Sequence, residues 1–337
     1  MRKNLFVLLM VLLVVLSIVA AQCAPATPAP EAAPSAEYKL AAIFPGVITD
    51  ADYNTLAYVG IMAVESDLGV DVAYSESVAV PDVDRVMREY IDGGYNIIWT
   101  HGSQFVTQTK DLAAQFPDVT FIAEGDAAVE EPPDNLWVID RNFNVGFYGI
   151  GAVAAKLTQT GKIGYIGGLT LPFSYAEVHA MEQAIADLGA DVELMPVWTG
   201  DFNDPTKARQ VTDAMMAEGA DVIVGSLNLG MFGLFEAVKS GSGDVLVTAK
   251  YTDKTNYAPD NYVTSVLYDF AGPLKAIVER TMKGEKGGYY PLGFDTGVTI
   301  QLPLKNAPDD VNSEVERIVA DVKDGKITVI EDTTPIE

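Results

Sequence analysis

Two histidines, His101 and His179, and one cysteine, Cys23, are all that this chain offers for the commoner nucleophilic and metal-binding chemistries. A Ser-His-Asp relay or a histidine-based metal site would have to use one of those two imidazoles. No GxSxG elbow and no HExxH pair occurs. Gly149-Ile-Gly151-Ala-Val-Ala154 spells GxGxxA, but it lies inside a helical pattern and well past the preceding strand. Close packing of small residues is therefore favoured over a dinucleotide cradle. Asp201-Phe-Asn-Asp204 lacks the glycine and terminal Glu of a calcium loop and reads as a solvated helix cap. Neither catalysis, a metal nor a cofactor is expected.

Three other clusters suit recognition of a planar, hydrogen-bonding molecule. Asp50-Ala-Asp-Tyr53-Asn54 combines a carboxylate, a stacking ring and an amide that can both donate and accept. A helix-capping Asp beside a core Tyr is the equal alternative there. Trp99-Thr-His101-Gly102 ends an apolar run, although Trp99 alone could be core. Tyr251, Asp253, Tyr268 and Asp269 alternate rings with carboxylates around the later strands.

Composition narrows the partners. The 337 residues carry 22 Lys and Arg against 47 Asp and Glu, a formal net charge of −25. Neutralising phosphates needs clustered cations, so nucleic acid is excluded, as is docking on anionic lipid through a basic face. Half the chain is apolar (49%), enough to bury cores, and at roughly 100–200 residues per domain the length suggests two of them.

The N-terminus reads as an address. Arg2 and Lys3 precede an apolar run over 5–21, the n- and h-regions of a secretory signal. Ala20-Ala21-Gln22-Cys23 then resembles the lipobox of bacterial lipoproteins. Residues 1–22 are expected to be removed, Cys23 to carry lipid, and 23–37, rich in Pro and Ala, to be a stiff tether. An uncleaved anchor, or a cut elsewhere, is the alternative.

From Tyr38 onward short β-rich runs alternate with helical patterns, which predicts an α/β architecture of two doubly wound parallel-sheet lobes. Strands are expected over 39–44, 70–74, 96–101, 119–123 and 136–140, then over 162–166, 193–198, 221–226 and 245–251. Helices are expected over 53–68, 83–93, 105–116, 145–159, 175–188, 205–218, 231–240, 272–283 and 311–324. The first lobe takes 38–141 plus 251–290, and the second 142–250 plus 291–337. Ligands of such sheets sit beyond the carboxyl ends of the strands, which puts a site in the cleft between the lobes.

These residues, in this order, resemble the basic membrane protein family of substrate-binding lipoproteins. Asp50-Ala-Asp-Tyr53-Asn54 is similar to its Asp-x-x-Phe-Asn, and Thr160-Gly-Lys-Ile-Gly-Tyr-Ile-Gly-Gly168 to its TGKVGFVGG. Trp198-Thr-Gly-Asp-Phe-Asn-Asp-Pro205, Gly219-Ala-Asp-Val-Ile-Val and Pro308-Asp-Asp-Val extend the likeness over nearly all of 38–329. The resemblance implies a type I periplasmic-binding fold with a hinge. It also implies a purine nucleoside or nucleobase as ligand, delivery to an ABC permease, and a lipid-anchored monomer on the outer face of the cell membrane. It makes Asp50 and Asn54 base-contacting groups and Tyr53 a stacking ring, and places Asp126 and Asn228 at the cleft; Trp99 or Phe173 is expected to stack opposite Tyr53. The family's ribose-holding Asp and Lys align with Tyr251 and Tyr268, so a free base is favoured. A ligand-sensing receptor for another aromatic solute is the alternative to transport.

Overall fold

The computed structural model describes residues 38–241 and 244–336, which form one compact unit. Cys23, the signal and the tether lie outside the described residues. The first sheet has the order β2-β1-β3-β4-β5-β11, built from β1 (Lys39–Ile43), β2 (Asp71–Ser75), β3 (Ile97–Thr100), β4 (Thr120–Gly125), β5 (Leu136–Asp140) and β11 (Gly288–Pro291). The second has the order β7-β6-β8-β9-β10-β12, built from β6 (Lys162–Gly167), β7 (Glu193–Trp198), β8 (Val222–Ser226), β9 (Leu246–Tyr251), β10 (Tyr262–Tyr268) and β12 (Val298–Ile300). All neighbours run parallel except β12, which is antiparallel to β10. Central strands such as β3 and β8 are buried along their whole length, which is why they read as unbroken apolar runs.

The helices are α1 (Tyr53–Leu68), α2 (Val83–Asp92), α3 (Val106–Ala113), α4 (Phe143–Leu157), α5 (Pro172–Asp187), α6 (Pro205–Ala217), α7 (Met231–Ser240), α8 (Ala271–Met282) and α9 (Asp309–Lys323). Their ends follow local chemistry. The Asp204 carboxylate accepts from the backbone N–H of Lys207 at 3.0 Å and caps α6, as its sequence predicts. Of the two GxGxxA glycines, Gly149 packs against Ile300 of β12 and Gly151 packs α4 on α5. A Cβ at Gly151 would lie 2.7 Å from the Met181 Cα, so only glycine permits this approach.

Two expectations need correction. Residue 251 does not return the chain to the first lobe, because β10 pairs with β9 in the second sheet. The chain crosses only after Tyr268, and α8 then packs on α1. The missed strand has a physical cause. Parallel strands are usually joined through a helix, whereas β9 and β10 are joined by the helix-free segment 252–261, which breaks the βα rhythm. β11 and β12 are short edge strands with no apolar run to betray them.

Candidate functional site

Each lobe contributes the loops that leave the carboxyl ends of its strands, on both sides of the point where strand order reverses. Between them lies a cavity of about 230 Å³. From the first lobe it is lined by Pro45, Gly46, Tyr53, Asn54, Gln104 and Arg141. From the second come Leu169, Leu171, Phe173, Asp201, Phe202, Asn203, Asn228 and Tyr251.

Asp50 organises one wall without reaching the cavity. Its carboxylate accepts from the backbone N–H groups of Asp52, Asn54 and Thr55, each at 3.0 Å. It also accepts from the Asn54 amide at 2.7 Å and, across the cleft, from the Asn228 amide at 3.2 Å. With its oxygens so engaged and 1% exposure, Asp50 is a positioning group for Asn54. Asn54 is itself buried, and its Oδ1 has no hydrogen-bond partner among the described residues. A buried carbonyl oxygen left bare is costly, so this atom marks where a donor from a ligand belongs.

Tyr53 is held from three sides. Its hydroxyl donates to Glu124 Oε2 at 2.8 Å and accepts from Arg141 Nη1 at 3.0 Å. Its ring stacks on His101 with centroids 3.8 Å apart. Burial drives its phenol well above the usual value, so it stays a hydroxyl. His101 itself bridges Glu124 (2.7 Å) and the Tyr53 carbonyl (3.1 Å), fully buried behind the stacking ring. Trp99 is also fully buried, edge-on to Phe44 and His101. Both belong to the support of the wall, because β3 lies in mid-sheet with both faces covered. Gly102, at φ 132°, makes the turn that lets Gln104 approach; a Cβ there would sit 2.7 Å from the Gln104 amide oxygen. Asp126 is paired with Arg141 and does not line the main cavity.

The second lobe supplies Phe173 and Phe202, stacked with centroids 6.2 Å apart. Behind Phe173 a fully buried Lys250 bonds Glu177 at 2.5 Å and lies 3.5 Å above the Phe143 ring. Tyr165 donates to the same carboxylate at 2.6 Å. Burial pulls the Lys250 ammonium down to about 8, with Glu177 opposing. Tyr251 lines the cavity. Tyr268 is packed behind it with its hydroxyl 3.4 Å from the Phe143 carbonyl, outside the cavity. Asp253 and Asp269 are exposed and serve their own chain, the first turning onto Thr255 and the second capping α8 at Gly272. The structure thus gathers Tyr53, Asn54, Phe173, Asn228 and Tyr251 at the cavity, with Asp50 behind them. It leaves Trp99, His101, Gly102, Asp126, Asp253, Tyr268 and Asp269 outside.

Sequence reasoning missed Arg141, Gln104, Phe202 and Asn203. Arg141 directly follows β5, and that position at a strand's carboxyl end was the available signal. Phe202 sat in view within the segment read only as a cap.

A second inter-lobe contact joins Asp52, before α1, to Lys254 Nζ at 2.5 Å and to the Thr252 hydroxyl at 2.9 Å. Burial, outweighing the Lys254 charge, raises the Asp52 carboxyl from 3.8 to about 7. A carboxyl that holds its proton longer in the fold than in the open chain contributes stability fully below about 4, and loses it as pH climbs towards 7. The melting temperature of the wild-type protein minus that of Asp52→Asn should therefore fall between those pH values and be flat above. A difference that rises over the same interval in a thermal-melt series would contradict this.

Two largely parallel sheets whose carboxyl ends share a cavity define the two-lobed type I periplasmic-binding fold. The chain belongs to the Bmp family, the PnrA-like ABC transporter substrate-binding proteins, whose family model matches residues 38–331. Basic membrane protein A2 of Borrelia garinii subsp. bavariensis is 27% identical over 86% of this chain and 88% of its own. A purine-binding protein of Brucella abortus is 25% identical over 77% of this chain and 72% of its own. The crystal structure of an ABC transporter solute-binding protein from Aeropyrum pernix K1 superposes with a TM-score of 0.77 at 20% identity, covering 88% of this chain and 94% of that one. The expected family and fold class are borne out. Among the described residues no helix is long and apolar enough to cross a membrane.

Proposed function

We propose that this protein is the solute receptor of an ABC importer, lipid-anchored through Cys23 on the outer face of the cell membrane, and that it binds a purine base between its lobes. The observation that carries the reading is an inter-lobe cavity walled by Tyr53 and Phe173 and lined by Asn54, whose buried Oδ1 has no hydrogen-bond partner among the described residues. A purine edge offers the N–H that this oxygen lacks, and its faces suit aromatic walls. The cavity, at about 230 Å³, suits a small ring ligand. The purine-binding relative supports the same class.

The receptor does no chemistry on its ligand. It acts as a monomer, and its cargo passes to a membrane permease when the lobes open. Affinity comes from stacking, from hydrogen bonds to the ring edge and from the exclusion of water on closure. The direct test is to denature purified protein and identify by mass spectrometry whatever small molecule it has carried. A purine base supports the reading, whereas a non-aromatic solute overturns it. Acyl-modified Cys23 at the mature N-terminus tests the anchor.

A further inference from the structure

Tyr251 is the one cavity-lining residue whose backbone and side chain are both out of the ordinary. Its φ of 75° lies in the left-handed region, where a bulky side chain is a genuine outlier. Backbone strain of this kind persists only where the surroundings over-determine it, and it clusters at ligand clamps. The surroundings here are specific. Lys250 is pinned by Glu177, Thr252 reaches across to Asp52, and Tyr251 itself is registered against Leu267 of β10. The chain is thus fixed on both sides of a residue that would relax as glycine.

The ring held this way is buried at 6% exposure and lies 5.6 Å from the ring of Tyr53, beside the stacking wall. Its hydroxyl has no hydrogen-bond partner among the described residues. The Tyr268 hydroxyl behind it, by contrast, faces the Phe143 carbonyl. One polar atom is therefore presented to the cavity, on a ring that closes it beside Tyr53.

Resting on the purine-base reading above, we propose that Tyr251 is the specificity-determining residue of this site. Its hydroxyl bonds the ligand, and its ring excludes ligands that carry a sugar. The two roles separate by substitution. Tyr251→Phe keeps the wall and removes the bond. Tyr251→Gly removes the wall at a position whose backbone favours glycine, which offsets part of the cost of the cavity that the lost ring leaves.

The test is titration calorimetry of the full chain with adenine, adenosine, hypoxanthine and inosine, alongside a thermal melt of each variant. Wild type should bind one of the bases and reject its nucleoside. Tyr251→Phe should weaken that base about tenfold, the loss of one hydrogen bond, and still reject the nucleoside. Tyr251→Gly should melt below wild type but still in one cooperative transition, and gain at least about tenfold for the nucleoside, by release of a steric clash. A folded Tyr251→Gly that binds the base and rejects nucleosides as wild type does would overturn the role of Tyr251 alone. Equal binding of base and nucleoside by wild type would do the same. Wild-type protein that binds none of the four would instead remove the purine reading on which the proposal rests.

Discussion

Lys250→Met should lower folding stability by about 3–5 kcal/mol, the cost of leaving one member of a buried ion pair alone. Lys250 and Glu177 are both fully buried, and Nζ to Oε1 is 2.5 Å. Without the ammonium, Glu177 keeps only the Tyr165 hydroxyl, and the rings of Phe143 and Phe173 lose the cation they surround. The double variant Lys250→Met/Glu177→Gln removes the stranded charge and should recover most of the loss. Urea unfolding of the three proteins reads this directly. A single variant within about 1 kcal/mol of wild type would contradict this cost. Because Phe173 lines the cavity, Lys250→Met should also weaken the ligand, by an indirect route that the double variant retains.

Asn54→Ala is the largest effect expected on binding itself. It removes the Oδ1 that awaits a ligand donor and strands that donor in a desolvated cavity, a loss of about 1–3 kcal/mol. Stability should change less, since Asp50 keeps its backbone donors from Asp52, Asn54 and Thr55. Calorimetry with a purine base measures it. An unchanged dissociation constant would remove Asn54 from the site and with it the observation that carries the proposed function.

Much of the scaffold is legible from residue order. The strands over 136–140 and 193–198 and the helices over 53–68 and 231–240 fall where the apolar patterns put them. β10 does not, because it follows β9 without a helix and its alternation resembles any exposed strand until the second sheet claims it. The acidic residues show the same limit more sharply. Asp50, Asp126, Asp253 and Asp269 look alike in a chain with 47 carboxylates. In the fold one organises Asn54, one neutralises Arg141, and two turn or cap their own backbone.

By itself, then, the order of residues determined the two-lobed parallel architecture, the family, and a site at the carboxyl ends of the strands. All three rest on local periodicity, caps and motifs that act within one or two turns of chain. Tertiary structure alone decided which side chains meet across the cleft. Asp50 and Asn228, or Asp52 and Lys254, are far apart in sequence, and only the approach of one lobe to the other brings them within hydrogen-bond distance. It also decided that Trp99 and His101 would be support and Arg141 a wall. A residue's place at a strand's end says that it is near the site, whereas the packing of neighbouring loops settles which way it faces.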